Sequence, residues 1–307
     1  VNTSSNEIWI DCTNYDDFES TRPVLFRDDM RETFFKWFRI KPDYKILDGG
    51  CGTGVLTRFI AKSLDTGKVT GFDISKNFVE YGNKKIAEEN LSGKAEIVFE
   101  DGFNLSFDDN TFDVIVNHQY MGVLSDPVAG LKELIRVCKP GGTVTVSATG
   151  GFGGGGCDSD CAFENNTRLK ELNDKYMQAF KKVYTPSELK QNDYWHSQRY
   201  PKMFAEFGLK NITIHAYASA FSYSDSYWSD EFKIFKIKSG IGKEIQNIQA
   251  NSEDSRFQEY GFSIRDFDEL IKLNKEKQEY LLKNLNNNQD WEWSASTNYI
   301  VAGTKVL

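Results

Sequence analysis

The run Ile46-Leu47-Asp48-Gly49-Gly50-Cys51-Gly52-Thr53-Gly54 constrains this chain more than any other feature. An apolar stretch, KILDG, leads into it and VLTRFIAKSL, with helical apolar spacing, leads out. A glycine turn between a strand and a helix lets backbone N–H groups come close to a ligand, and the helix N-terminus adds positive dipole. The same rhythm continues downstream. KVTGFD (68–73), SKNFVEYGNKKIAEEN (75–90), AEIVFE (95–100), FDVIVN (112–117) and GTVTVSA (142–148) alternate short apolar runs with helical patterns. Asp126-Pro127 opens the helix before the fifth strand as N-cap and first-turn proline, and Leu131, Leu134, Ile135 and Cys138 form its apolar stripe. Near-continuous apolar strands alternating with helices predict a doubly wound α/β domain with a parallel sheet.

The rest of the chain is organised differently. Residues 27–39 place Met30, Phe34, Trp37 and Phe38 at helical spacing, and the segment before them, with Asn14, Tyr15 and Phe18, reads as a mobile strap. After Ser147 the stretch ATGGFGGGGCDSDC predicts a flexible loop, since each glycine adds backbone entropy that folding removes. Helical patterns follow at 167–182, after the capping pattern Thr185-Pro186-Ser187-Glu188, and at 198–207. NITIHAYA (211–218) alternates as a sixth strand and TNYIVAGTKV (297–306) as a last one, making seven. Between them, 224–293 carries helical patterns at 228–248 and 264–285. The expected organisation is a strap and helix over 1–40, a ligand-binding core over 41–150, a loop, helices and sixth strand over 151–223, a helical cap insert over 224–293, and a final core strand over 294–307.

Composition narrows the partners. Lys and Arg total 37 against 45 Asp and Glu, a net charge of −8, which disfavours a broad phosphate-binding surface. No apolar run approaches a membrane span, and Val1 to Asp11 lacks the pattern of a signal peptide. Five cysteines in a long chain make no disulfide framework. These features predict a cytoplasmic protein without nucleic acid as partner. Cys157 and Cys161 lack a matching second pair, so no metal is expected.

Asp73 closes the second strand about 20 residues beyond the glycine turn, where a carboxylate accepts hydrogen bonds from ribose hydroxyls. Together with D-x-G-C-G-x-G at 48–54, Glu100-Asp101-Gly102, FDVIV at 112–116 and L-x-x-x-x-R-V-x-K-P-G-G at 131–142, this set resembles the class I S-adenosylmethionine-dependent methyltransferases, particularly the ubiquinone and menaquinone biosynthesis branch. The resemblance covers roughly 44–148 and implies a Rossmann-like fold. It implies that Asp48 and the backbone of Gly50, Gly52 and Gly54 surround the methionine part of S-adenosylmethionine, and that Asp73 holds the ribose. Asp101 then reaches the adenine amino group, Gly102 and Phe103 lie beside the ring, and Asn117 lines the methyl-transfer site.

His118 follows the fourth strand at the carboxyl edge where α/β ligands bind, so it is the candidate base or acceptor-orienting group. Tyr15, Tyr120, Trp195, His196 and Tyr200 are candidates for the acceptor pocket, against the alternative that such aromatics are core. His215 is expected to be structural, and Cys51 a small buried residue. The expected activity is methyl transfer to an O, N or C atom of a small molecule. Asn117-His118-Gln119-Tyr120 lacks the Asp/Asn-Pro-Pro-Tyr pattern of amino-directed nucleic-acid and glutamine methyltransferases. Methylation of protein or RNA is the alternative within enzymes, disfavoured by 14 acidic against 10 basic residues in 224–293. A non-catalytic S-adenosylmethionine-binding module is the alternative outside them, and a homodimer is compatible with either. The insert, the 151–166 loop and the strap are expected to close over the acceptor.

Overall fold

The computed structural model describes residues 15–149, 155–157, 162–184, 199–285 and 293–306. The chain divides into two units, one comprising 1–153, 192–219 and 296–307, the other 154–191 and 220–295.

The first unit is built on a twisted sheet. β1 (Lys45–Gly49) pairs in parallel with β2 (Lys68–Asp73) on one side and β4 (Phe112–Asn117) on the other. β3 (Ala95–Phe99) extends the sheet beyond β2, and β5 (Cys138–Thr149) pairs in parallel with β4. After a three-residue strand β6 (Gly155–Cys157) and β7 (Lys210–Ser222), the final β8 (Trp293–Thr304) runs antiparallel to β5. The order in this unit is β3-β2-β1-β4-β5-β8, with β7 also paired to β8, while β6 pairs with the start of β8, Trp293 to Ala295, within the second unit. The seven expected strands are present, and β6 makes an eighth. Strand order reverses between β1 and β4, and the crevice beyond their carboxyl ends is where open α/β sheets bind ligands.

Alternation along each strand sends side chains to opposite faces. Leu47, Ile115 and Val301 join one buried cluster with Leu131, Leu134 and Phe204, while Ile46, Val114, Val116 and Ile300 join another with Phe34, Phe38 and Ile60. Helices therefore cover both faces. The strap expected before residue 27 is instead a helix, α1 (Tyr15–Leu25), followed by a 3₁₀ turn and α2 (Arg31–Phe38). Pro23 inside α1 and its weak apolar pattern conceal the helix in the sequence. α1 is fastened by Arg58, whose guanidinium pairs with Glu19 at 2.7 Å and with Glu89 at 2.7 Å.

The second unit is helical. It contains α6 (Asn166–Val183), α8 (Asp230–Ser252), α9 (Arg256–Glu259) and α10 (Ile264–Lys283), whereas α3 (Val55–Ala61), α4 (Lys76–Glu88), α5 (Pro127–Val137) and α7 (Tyr200–Glu206) belong to the first. It reaches beyond the expected 224–293 insert because α6 shares its core: Leu172 and Tyr176 pack with Phe257, Phe262, Phe267 and Leu270. Ser263 and Asp266 form a capping box at the start of α10. Among the described residues no helix is long and apolar enough to cross a membrane.

Candidate active site

The glycine turn is bound to the strand beside it. The Cys51 N–H donates to the Phe72 carbonyl at 2.9 Å, and the Gly52 N–H donates to Asp73 Oδ2 at 2.9 Å. Gly50, Gly52 and Gly54 have φ of 60°, 55° and 77°, the left-handed region that favours glycine. Gly50 is doubly required, since a Cβ there would lie 2.1 Å from Cδ2 of Tyr120. Asp73 accepts a second backbone bond, from Ser75 at 2.9 Å, which sets the start of α4. Each Asp73 oxygen thus holds one N–H and retains a lone pair for another donor.

One pocket gathers Gly50, Gly52, Asp73, Asp101, Gly102 and Phe103 with His118 and Tyr120, under Phe18 and Arg22 of α1. A smaller adjoining pocket is lined by Asp48, Gly50 and Thr53, again with His118, Phe18 and Arg22. Phe18 lies 3.0 Å from the position of a Cβ on Gly52, so α1 passes directly over the turn.

Protonation within the site follows from burial. Asp48 is 1% exposed and accepts from Thr57 Oγ1 at 2.7 Å. Burial, reinforced by the charge of Asp73, pushes its carboxyl up to about 7 despite that bond. Burial also raises Asp73, opposed by its backbone N–H donors. Burial first, and then the Arg22 charge, hold His118 well below the usual imidazole range, so the ring is neutral. Its tautomer follows from Ser147. That hydroxyl donates to the Asn117 carbonyl at 2.8 Å, which turns a lone pair toward His118 Nδ1 at 3.2 Å. Nδ1 therefore carries the proton and Nε2 is the acceptor, buried without a partner. The Tyr120 hydroxyl is also buried without a partner, and burial raises its pKa.

The sequence-derived candidates are not all drawn together. Asp101 is exposed, and its Oδ1 accepts from the Phe103 N–H at 3.0 Å. Asn117 lines neither pocket; its amide donates to the Thr145 carbonyl at 2.8 Å, toward β5. Gly54 likewise lies off both linings and starts α3, where a Cβ would meet Ile97 at 2.4 Å. Tyr120 spans Gly50 and Gly102 among the expected cofactor residues. Tyr15 stacks on Tyr81 with centroids 4.3 Å apart, and Tyr200 is core at 2% exposure. Trp195, His196, Cys161 and the Cys157 side chain lie outside the described residues. His215 stacks on Trp37. Among the described residues no cluster of His, Cys, Asp or Glu could hold a metal.

Sequence reasoning singles out neither Arg22 nor Ser147, and it names Phe18 only within the strap and Gln119 only within the run that follows the fourth strand. The i, i+4 spacing of Phe18 and Arg22 is the signal that was available, and it acquires meaning only once α1 is a helix.

The family description "Methyltransferase domain" matches residues 46–142. An uncharacterized methyltransferase of Schizosaccharomyces pombe is 39% identical over 110 residues, spanning 34% of this chain and 40% of that protein. The demethylmenaquinone methyltransferase of Bacillus subtilis is 26% identical over 221 residues, spanning 70% of this chain and 92% of the enzyme. Among solved structures, Haemonchus contortus phosphoethanolamine N-methyltransferase 2 in complex with S-adenosyl-L-methionine superposes with a TM-score of 0.51 at 17% identity, covering 99% of this chain and 60% of that one. The [4+2]-cyclase SpnF does so at 0.50 and 14%, covering 99% and 98%. At such identities these likenesses establish the fold alone, and the cyclase illustrates how one fold hosts different chemistries.

Proposed function

We propose that this chain is a class I S-adenosylmethionine-dependent methyltransferase that methylates a small-molecule acceptor at the carboxyl edge of its parallel strands. The observation that carries the proposal is the convergence of Gly50, Gly52, Asp73, Asp101, Gly102 and Phe103 with a neutral histidine at one pocket. Alignment with demethylmenaquinone methyltransferases over most of their length favours a small acceptor.

The residues fit the donor. Asp73 would hold the ribose with its remaining lone pairs, and Asp101 would take the adenine amino group with its second oxygen. Asp48, held near neutrality by burial, would ionise against the donor's ammonium, because a nearby cation favours the carboxylate. S-adenosylmethionine supplies, when bound, a methyl group on a sulfonium that an acceptor atom displaces. The chain's own contribution is alignment and exclusion of water, with Phe18 and Phe78 walling the pocket. Where the acceptor atom bears a proton, His118 Nε2 is the group that would take it, and Ser147 keeps that nitrogen unprotonated beforehand.

Calorimetry with S-adenosylmethionine and S-adenosylhomocysteine tests the donor site, and folded protein giving no heat with either sinks the proposal. Asp73→Ala is expected to weaken binding by about 1.5–3 kcal/mol, roughly ten- to hundredfold. An S-adenosylhomocysteine release assay with demethylated naphthoquinols tests the acceptor class. Binding of donor without turnover on any of them would move the acceptor to another chemistry.

A further inference from the structure

Two arginines flank the glycine turn, and their surroundings differ in kind. Arg58 is 5% exposed and its charge is met by Glu19 and Glu89. Arg22 is half-buried, and burial lowers its pKa while the charge of Asp17 partly restores it. Yet no carboxylate of the described residues lies within ion-pair distance of it. Its Nη1 donates to Thr21 Oγ1 at 3.1 Å and its Nη2 to Gln119 Oε1 at 3.4 Å, while the guanidinium sits 4.8 Å from the Phe18 ring centre. Among the described residues its hydrogen-bond partners are neutral, which leaves guanidinium donors open to an anion entering the pocket.

Gln119 is held so that it cannot compete for that role. Its Nε2 donates to Thr149 Oγ1 at 2.6 Å, which turns the amide oxygen toward Arg22. The residue adopts φ 57°, an uncommon conformation for a side chain of this size, at the mouth of a ligand pocket. Arg22 lines both pockets beside His118, and the smaller one also carries Asp48.

We propose that Arg22 is the anion-binding residue of this site and receives a carboxylate that a substrate carries into the pocket. The inference rests on the methyltransferase reading. A guanidinium fork matches a carboxylate in two parallel bonds. A dianionic phosphate suits the small pocket less well, because Asp48 lines it too. An amino acid suits it best, with its ammonium toward Asp48 and its carboxylate toward Arg22. The amino-acid end of the methyl donor is therefore the favoured source, and a carboxylate on the acceptor is the other.

The test is calorimetry on the full chain with three probes: S-adenosylhomocysteine, its decarboxylated analogue, and benzoate added to protein saturated with S-adenosylhomocysteine. Arg22→Gln is expected to weaken S-adenosylhomocysteine by about tenfold or more, to leave the decarboxylated analogue unchanged, and to be partly rescued in Arg22→Lys. That pattern assigns the donor carboxylate. Unchanged S-adenosylhomocysteine binding, with benzoate binding present in the parent and lost in the variant, assigns the acceptor carboxylate. Equal weakening of S-adenosylhomocysteine and its decarboxylated analogue, or no change with any probe, overturns the proposal. If Arg22→Gln does not fold, Arg22→Lys carries the same comparison, since it keeps the charge and loses the fork. Failure of the parent protein to bind S-adenosylhomocysteine would instead refute the donor site, which separates the two claims.

Discussion

The carboxyl edge of the sheet and the core of the helical unit treat their polar groups in opposite ways. In the helical unit, Asn251 donates to the Tyr176 hydroxyl at 2.6 Å and accepts from the Tyr184 hydroxyl at 2.9 Å, so both phenols are satisfied. Its charges include the ion pairs Arg168–Glu269 and Lys175–Asp266, each 2.8 Å long, and one buried lysine, Lys233. At the sheet edge the Tyr120 hydroxyl and His118 Nε2 are buried without partners, and Asp48 is buried without a cation. Buried polar groups are costly when unmet. The two phenols of the helical core are met by one amide of the same unit, whereas the hydroxyl and imidazole nitrogen at the sheet edge face a pocket.

Substitutions can break this contrast. The largest effect is expected from Gly50→Ala, which must fit a Cβ 2.1 Å from Tyr120 at a φ of 60°. It should abolish detectable S-adenosylhomocysteine binding and lower stability by roughly 2–4 kcal/mol, read by calorimetry and denaturant unfolding. Retained binding would mean that Tyr120 moves freely. An intermediate effect concerns pH. The folded Asp48 pKa is raised to about 7 from an ordinary 3.8, so the folded protein holds a proton that the unfolded chain releases. This group's contribution to stability is therefore present below pH ~4 and lost as pH rises through ~7, a decline on the order of 2–4 kcal/mol. Chemical denaturation from pH 5.5 to 8 should show the decline in the parent and a flatter profile in Asp48→Asn; parallel profiles would refute it. The smallest effect belongs to the helical unit. Gly240 lies within α8 beside a cavity of about 700 Å³, and a Cβ there meets nothing within 4 Å. Gly240→Ala should stabilise by about 0.5–1 kcal/mol in the same unfolding experiment, through helix propensity and a less flexible unfolded chain. A loss of stability would show that the open space is not available.

The same contrast explains how much of the molecule the sequence discloses. β1 to β5 are legible because strands buried on both faces, such as FDVIV, require unbroken apolar runs. The glycines and Asp73 are legible because backbone geometry demands those residue types at that spacing. α1 is not, since its buried face is short and Pro23 interrupts it. Arg22 and Ser147 are hidden for a related reason. Their roles depend on Gln119 and His118, brought near them by chain crossings of 97 and 29 residues. No local pattern can encode such meetings. α6 shows the converse, because its helical period is plain while the aromatic partners that bring it into the second unit lie far along the chain.

The pairing of β5 with β8 gives the molecule a timetable. Thr149 meets Asn298, a partner made about 150 residues later. At usual synthesis rates the sheet then waits roughly 8–30 s with the hydrogen-bonding edge of β5 uncovered. In that interval the nascent protein presents an unpaired strand edge from Thr143 to Thr149, the feature that invites pairing with another chain. Its vulnerable moment falls during translation, and slowing the ribosome between these two strands should cost soluble yield even where the finished protein is stable.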